Sequence, residues 1–509
     1  MAMKDKTFMN KASQITSPEK WATLNDRQME FLWKNIDWKA IEKRVNKLQS
    51  RIAKAWKEGN KNVAKKLQHL LTKSIFPKLL AVRKVTSNKG KKTSGVDGQL
   101  WTTPASKLKA ALALDRNGYK TNPLKRIYIE KKGKKKKRPL GIPTMYDRAM
   151  QALYLQALDP IAETTADKAS FGFRKKRCTK DAAAHIFLYL RARNSAQWIL
   201  EGDIKGCFDN ISHQWLLNNI PMDKRTLKKF LKAGFIYQKQ LFPTTDGTPQ
   251  GGIISATLAN MALDGIEKLL KDVYWTNKKG TTTYASNKHK VHYTRYADDF
   301  IATADSKETL NDIQQLMTKH LGQRGLRLSE EKTLITRTDE GFDFLGWNFR
   351  KYKNILLIKP SKASLKNISE KVRETIKNYR TAKQENLIRK LNPIITGWCN
   401  YHRSIVAKES FSRLDNTVFT ALWNWAKRRH PNKSMKWIKN KYWKPEKNRN
   451  WIFSDGIRKL KFASDTKIQR HHLIKFDANP YLKEDNEYYK TREKKKEERN
   501  GNSKMPPVG

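Results

Sequence analysis

The chain has 509 residues, too many for one ordinary core, and sets 105 Lys and Arg against 48 Asp and Glu, a formal charge of +57. Self-repulsion on that scale is costly to a compact fold, so the natural partner is a polyanion. No run approaches the ~18 consecutive apolar residues of a membrane span. Residues 1–20 lack the apolar centre of a signal peptide, and the scattered Cys178, Cys207 and Cys399 rule out a disulfide framework and a C-x-x-C zinc site.

Residues 1–35 read as a loose arm. Asp37 is placed to cap a helix bearing Ile41, Val45, Leu48, Ile52 and Trp56 on one face. Gly59-Asn60 breaks it, and a second helix carries Val63, Leu67, Leu70 and Leu71. The basic, glycine-punctuated loop over 86–98 suits phosphate wrapping and a solvated linker equally. Residues 125–129 alternate as a strand, Lys132-Gly133-Lys134 turns, and residues 137–143 return, an arm able to aim cations at a triphosphate. The next helix, with Met150, Leu153, Tyr154 and Leu158, is predicted to end near Asp159-Pro160.

Trp198-Ile199-Leu200-Glu201-Gly202-Asp203 reads as an apolar strand ending in an acid. In Arg295-Tyr296-Ala297-Asp298-Asp299-Phe300 two carboxylates sit between strand-like runs, which suits the tip of a hairpin. Acids at the ends of neighbouring strands form a hard oxygen site for Mg2+, and two such ions suit an in-line phosphoryl displacement. Glycines 247, 251 and 252 lead into a helix through Leu258 and Leu263. Asp305 with Glu308 predicts a capping box for a helix bearing Leu310, Ile313 and Met317. Alternating strands and helices to about residue 350 indicate an α+β unit. Beyond Pro360 the pattern is helical, with a stripe of Leu365, Ile368, Val372, Ile376 and Tyr379. From Thr491 onward apolar residues are few, and independent folding is not expected.

The motifs in order resemble the group II intron-encoded reverse transcriptase/maturases of the bacterial and chloroplast-like branch, over residues 36–480. The carriers are residues 88–98, Arg138-Pro139-Leu140-Gly141-Ile142-Pro143, 170–174, 203–209, 248–255, 296–299, Ser329-Glu330-Glu331-Lys332-Thr333, Phe344-Leu345-Gly346-Trp347 and Gly397-Trp398-Cys399-Asn400-Tyr401-His402. The resemblance implies an α+β right-hand polymerase. Its parts would be an N-terminal arm and helical extension (1–85), fingers and palm (86–350), an α-helical thumb or maturase domain (351–445), and a basic DNA-binding region with a disordered tail (446–509).

It further implies that Asp203, Asp298 and Asp299, with Ile204, hold two Mg2+. Lys131, Arg138, Ile204, Phe208 and Gln250 would bind the deoxynucleotide, the Phe208 ring excluding a ribose 2′-hydroxyl. Residues 344–347 would form the primer grip. The implied partners are intron RNA, an RNA template with its DNA primer, target DNA and deoxynucleotides. Two positions depart from the family: Glu130 replaces a usual Pro and is expected to point outward, and Ala256 replaces the Pro that commonly follows Ser255. Neither zinc nor the C-terminal His-Asn-His nuclease of many relatives is expected, because no cysteine follows Cys399. The expected compartment is a bacterial cytoplasm, with an organelle-encoded origin left open. The alternatives are a free-standing reverse transcriptase in a defence or CRISPR-linked role, which the maturase-like tail disfavours, and a binding-only maturase, which the intact acids disfavour.

Overall fold

The computed structural model describes residues 21, 23–130, 137–248 and 251–501. Four helices open it: α1 (Asp26–Lys34), α2 (Trp38–Lys57), α3 (Lys61–Lys73) and α4 (Ile75–Ser87). α1 lies within the arm expected to be loose; Asn25 and Gln28 cap it reciprocally, and Met29 and Trp33 bury in the core. Asp37 caps α2 through the Ala40 amide as predicted. α3 turns Leu67 and Leu71 inward but leaves Val63 and Leu70 half exposed. Gln68 takes an inward position instead, and its Nε2 donates to the carbonyls of Ala157 and Pro221.

After α5 (Pro104–Ala113), β1 (Leu124–Ile129) and β2 (Arg138–Ile142) pair antiparallel, with Ile129 opposite Arg138. Helix α6 (Met145–Thr165) does not end at Pro160 as predicted. Proline cannot donate to the carbonyl four residues back, that of Gln156. Gln49 Nε2 from α2 donates to that oxygen at 2.7 Å, so no buried acceptor is orphaned and the helix continues.

α7 (Thr179–Leu190) and β3 (Trp198–Asp203) follow, then the short helices α8 (Cys207–Asn210), α9 (His213–Asn219) and α10 (Lys224–Leu231). β4 (Phe235–Tyr237) and β5 (Gln240–Phe242) complete a fingers sheet of order β2-β1-β4-β5. Helices α11 (Ser255–Leu263) and α12 (Ile266–Tyr274) precede β6 (His292–Tyr296), β7 (Asp299–Ala304), α13 (Lys307–Gly322) and β8 (Leu334–Arg337). α13 is capped by Ser306, whose Oγ accepts from the Thr309 amide at 3.2 Å, and not by the expected Asp305–Glu308 pair. Asp305 sits one residue too early and faces His289 instead.

The palm sheet is β6-β7-β3-β8, antiparallel throughout. Side chains alternate across it. Leu200, Phe300 and Ala302 enter the core shared with the N-terminal helices, while Ile199 and Ile301 enter the core shared with the thumb. The sheet is therefore buried on both faces, and its strand ends are left to carry the polar chemistry.

β9 (Phe342–Phe344), β10 (Trp347–Tyr352) and β11 (Ile355–Pro360) form a third sheet leading to the thumb helices α14 (Lys362–Asn378), α15 (Gln384–His402) and α16 (Lys408–Arg429). α17 (Met435–Tyr442) and the hairpin β12 (Trp443–Glu446) with β13 (Arg449–Phe453) follow. The chain then crosses back: Tyr481 and Leu482 pack on Ala53, Tyr481 OH donates to Asp159, and Asn479 Nδ2 donates to Thr164 Oγ1 at 3.0 Å. Where an unfolded tail was expected, Asn486–Gly501 is a helix, α18, held by the buried Tyr489 and by Arg492. Among the described residues no helix is long and apolar enough to cross a membrane.

Candidate active site

Asp203 closes β3 and lies directly across the ladder from Asp299, the first residue of β7. Asp298 stands beside it in the two-residue turn from β6. The structure thus brings together the three acids singled out from sequence. Asp203 is buried, Asp298 half-buried and Asp299 exposed. Crowding by the protein, and then the neighbouring Asp298 charge, push the Asp299 carboxyl up to about 6. Lys332, from the Ser329–Thr333 motif, makes an ion pair with Asp203. An ammonium on one acid and like-charge strain on another mark a place that favours added positive charge. Three carboxylates beside a main-chain oxygen fit a hard divalent ion.

The turn that presents Asp298 is strained. Ala297 has φ +60°, a region that non-glycine residues seldom adopt. Arg295, fully buried beneath it, holds the backbone: one Nη donates to Ala297 O at 3.2 Å and to Asn260 Oδ1 at 3.1 Å, the other to Asp264 at 2.5 Å. Burial pushes the Asp264 carboxyl up, and the Arg295 guanidinium opposes that rise. From the other side, residues 169–172 run alongside β6. Phe171 N donates to Arg295 O and Arg295 N to Ala169 O, each at 2.9 Å. Gly172 has no alternative, because a Cβ there would stand 2.2 Å from the Ala297 nitrogen.

Ile204 is buried behind Asp203 and bridges to Leu328. Phe208 lies on α8, with Phe173 edge-on to its ring at 6.4 Å. Thr248 is strapped onto α8, its N donating to Phe208 O at 2.6 Å, and Gly251 abuts the Gly141 carbonyl of β2. Arg138 opens β2 on the exposed side of the fingers hairpin. Glu130 points outward as expected, within 3.7 Å of Lys137. Lys131 and Gln250 lie outside the described residues.

Phe344 and Trp347 close a two-residue turn in which Leu345 (φ +51°) and Gly346 (φ +78°) are both left-handed. The turn is bolted to the thumb. Trp347 Nε1 donates to His402 Nδ1 at 2.9 Å, Tyr401 OH donates to Leu345 O at 2.8 Å, and the Trp347 and Tyr401 rings stack at 4.8 Å. His402 Nε2 meets Ser364 Oγ, which also accepts from Trp398 Nε1. Trp398, Tyr401 and His402 come from the maturase-like motif, so its aromatic run serves as a latch between palm and thumb.

Sequence reasoning missed Arg295, Lys332 and this latch as site-shaping groups. Arg295 and Lys332 each lay inside a recognised motif, and that was the available signal. Among the described residues, one other group has ligand chemistry: Cys178, Asp181 and His471 place ligand atoms within 4.8 Å of one another. Asp181 already accepts from His471 at 2.8 Å, Arg492 at 3.0 Å and the Ile474 amide at 3.1 Å, so it reads as an anchor for the C-terminal segment.

A four-stranded antiparallel palm with acids on adjacent strand ends, flanked by a fingers hairpin and a helical thumb, defines a right-hand nucleic-acid polymerase. The family model described as "Reverse transcriptase (RNA-dependent DNA polymerase)" matches residues 129–349, "N-terminal domain of reverse transcriptase" residues 33–114, and "Group II intron, maturase-specific domain" residues 365–443. The chain is 33% identical over 358 residues to group II intron-encoded protein LtrA of Lactococcus lactis subsp. cremoris, covering 59% of each. It is 33% identical over 315 residues to protein YkfC of Escherichia coli K12, covering 55% of this chain and 82% of that one. It is 27% identical over 387 residues to the putative COX1/OXI3 intron 1 protein of Saccharomyces cerevisiae, covering 66% of this chain and 45% of that one. The chain belongs to the group II intron-encoded reverse transcriptase/maturase family. It spans about three fifths of the length of LtrA.

Proposed function

We propose that the protein is an RNA-directed DNA polymerase that also binds its own intron RNA, aiding splicing and, through target-primed synthesis, intron mobility. The observation that carries this reading is the placement of Asp203 opposite Asp299, beside Asp298, on adjacent palm strands. Asp203, Asp298, Asp299 and the Ile204 main chain would hold two Mg2+, which when bound supply charge neutralisation to the attacking primer 3′-hydroxyl and the leaving pyrophosphate. The protein's own part is positioning. Arg138 on the fingers hairpin would draw the triphosphate, and the family motifs assign Lys131 and Gln250 to the same nucleotide. The Phe208 ring, buttressed by Phe173, fills the space beneath the sugar. The 345–346 turn holds the primer against the thumb.

The N-terminal arm, residues 86–98 and the thumb carry the positive surface that would take folded intron RNA, by shape and phosphate contact. Residues 446–509 would engage target DNA; Trp451 is exposed there, with the Lys439 ammonium over its ring. The reading implies a cytoplasmic or organellar matrix setting, where the intron transcript is made. Primer extension on an RNA template tests the assignment, run with deoxynucleotides and then with ribonucleotides. Extension is expected to require Mg2+, to stop with EDTA and to discriminate against ribonucleotides, and Phe208→Ala should relax that discrimination. Absence of any extension by folded protein would contradict the reading, and unchanged discrimination would reduce Phe208 to a packing residue.

A further inference from the structure

Between the N-terminal helices and the fingers lies a cleft of about 240 Å³ that none of the polymerase residues line. Its floor is apolar and aromatic: Leu114, Met150, Leu153 and Tyr154 are each no more than 5% exposed. The last three recur at i, i+3 and i+4 on α6 and so share one face. The rim is cationic. Lys73 ends α3, Lys78 stands in the first turn of α4, and Arg116 follows α5. Asp115 is the one acid among the lining residues.

That positive charge is poorly balanced from within the chain. Burial pushes the Lys78 ammonium below its usual range, with only Asp115 opposing the shift. His69, one turn before Lys73, is held down by burial and by the Lys73 and Arg116 cations. Arg116 meets Asp223 only at 3.6 Å, an exposed pair worth little. A bare inorganic anion would use the rim and leave the floor wet. A flat heterocycle carrying a phosphate uses both.

We propose that this cleft binds a nucleoside monophosphate unit, its base on the Tyr154 floor and its phosphate on Lys73, Lys78 and Arg116. The unit can be a nucleotide looped out of a bound RNA or a free nucleotide, since both present the same chemistry. The site is separate from the palm acids, so its test stands or falls apart from polymerisation.

The test uses the full chain in EDTA, with 2-aminopurine riboside 5′-monophosphate as a fluorescent probe. A ten-residue oligoribonucleotide bearing one 2-aminopurine forms the second arm. At least one probe is expected to bind saturably, and about tenfold or more weaker to Lys73→Ala/Lys78→Ala/Arg116→Ala, as for loss of charge-assisted hydrogen bonds. Asn117→Trp should weaken it comparably, because it fills the mouth and removes no cation; Asn117 is exposed, so its folding is not at stake. Lys278→Ala/Lys279→Ala/Lys288→Ala, exposed lysines in the segment before β6 that take no part in the assigned sites, controls for lost net charge. A signal from the oligonucleotide alone assigns the cleft to RNA; displacement by free monophosphate assigns it to free nucleotide. If neither probe binds, if the Lys278/Lys279/Lys288 control variant weakens binding as much, or if Asn117→Trp binds as the parent does, the proposal is overturned.

Discussion

Arg295 supports the proposed site from beneath, bonded to the turn that carries Asp298. Its guanidinium joins Asn260, Asp264 and the strained Ala297 carbonyl, so the position of Asp298 depends on a planar fork that an ammonium cannot reproduce. Arg295→Lys keeps the buried charge and loses the fork. Primer extension by this variant is expected to fall about tenfold to a hundredfold in kcat, with intron RNA affinity unchanged, as for small misplacements of reacting groups. Equal loss of RNA binding would make Arg295 a general support of the fold.

His402 offers a second test at this scale. Burial, and to a lesser degree Lys180, push its imidazole down to about 4 from an ordinary value of 6.5. The folded chain keeps the ring neutral while the unfolded chain takes up a proton near 6.5. The stability so contributed is present above pH 6.5 and lost as pH falls toward 4, at most about 3 kcal/mol. His402→Asn leaves Trp347 an acceptor but removes the titration. Thermal melting should show the parent losing stability between pH 6.5 and 4 more steeply than the variant; parallel curves would contradict the sign.

The elements were legible wherever local chemistry decides structure. Alternation gave the fingers hairpin, Asp37 gave the start of α2, and adjacent acids between apolar runs gave the palm turn. The failures have tertiary causes. Pro160 is tolerated because a glutamine distant in sequence replaces its hydrogen bond. The cap of α13 moved by one residue, to the Ser306 hydroxyl, because Asp305 precedes the cap position and pairs with His289. α18 was illegible because its own side chains bury little; its partners, Asp181 among them, lie some 300 residues earlier. That anchoring is testable. Asp181→Asn weakens the acceptor for His471 and Arg492, so limited proteolysis should release the C-terminal segment faster than in the parent, while residues 86–350 stay intact. Unchanged digestion would mean that Tyr481 and Tyr489 suffice to hold it.

At the scale of the whole molecule, the +57 charge and the palm acids pull in opposite directions. On the proposed reading the surface would attract RNA through its phosphates, and the three palm carboxylates would make a small part of that surface a divalent-cation site. Intron RNA affinity should therefore fall about a thousandfold or more between roughly 50 and 200 mM salt, as counterion release requires for many phosphate contacts. A flat salt response would show that the charge is not the binding force. The two roles should also come apart. Asp298 sits half-exposed in a turn and is not among the core residues, so Asp298→Asn changes the cleft and little else. The deciding measurement sets Asp298→Asn beside the parent in two assays on one preparation, primer extension on an RNA template and protein-assisted splicing of the intron RNA. DNA synthesis is expected to vanish while splicing persists near the parental level; comparable loss of both by a folded variant would contradict the account.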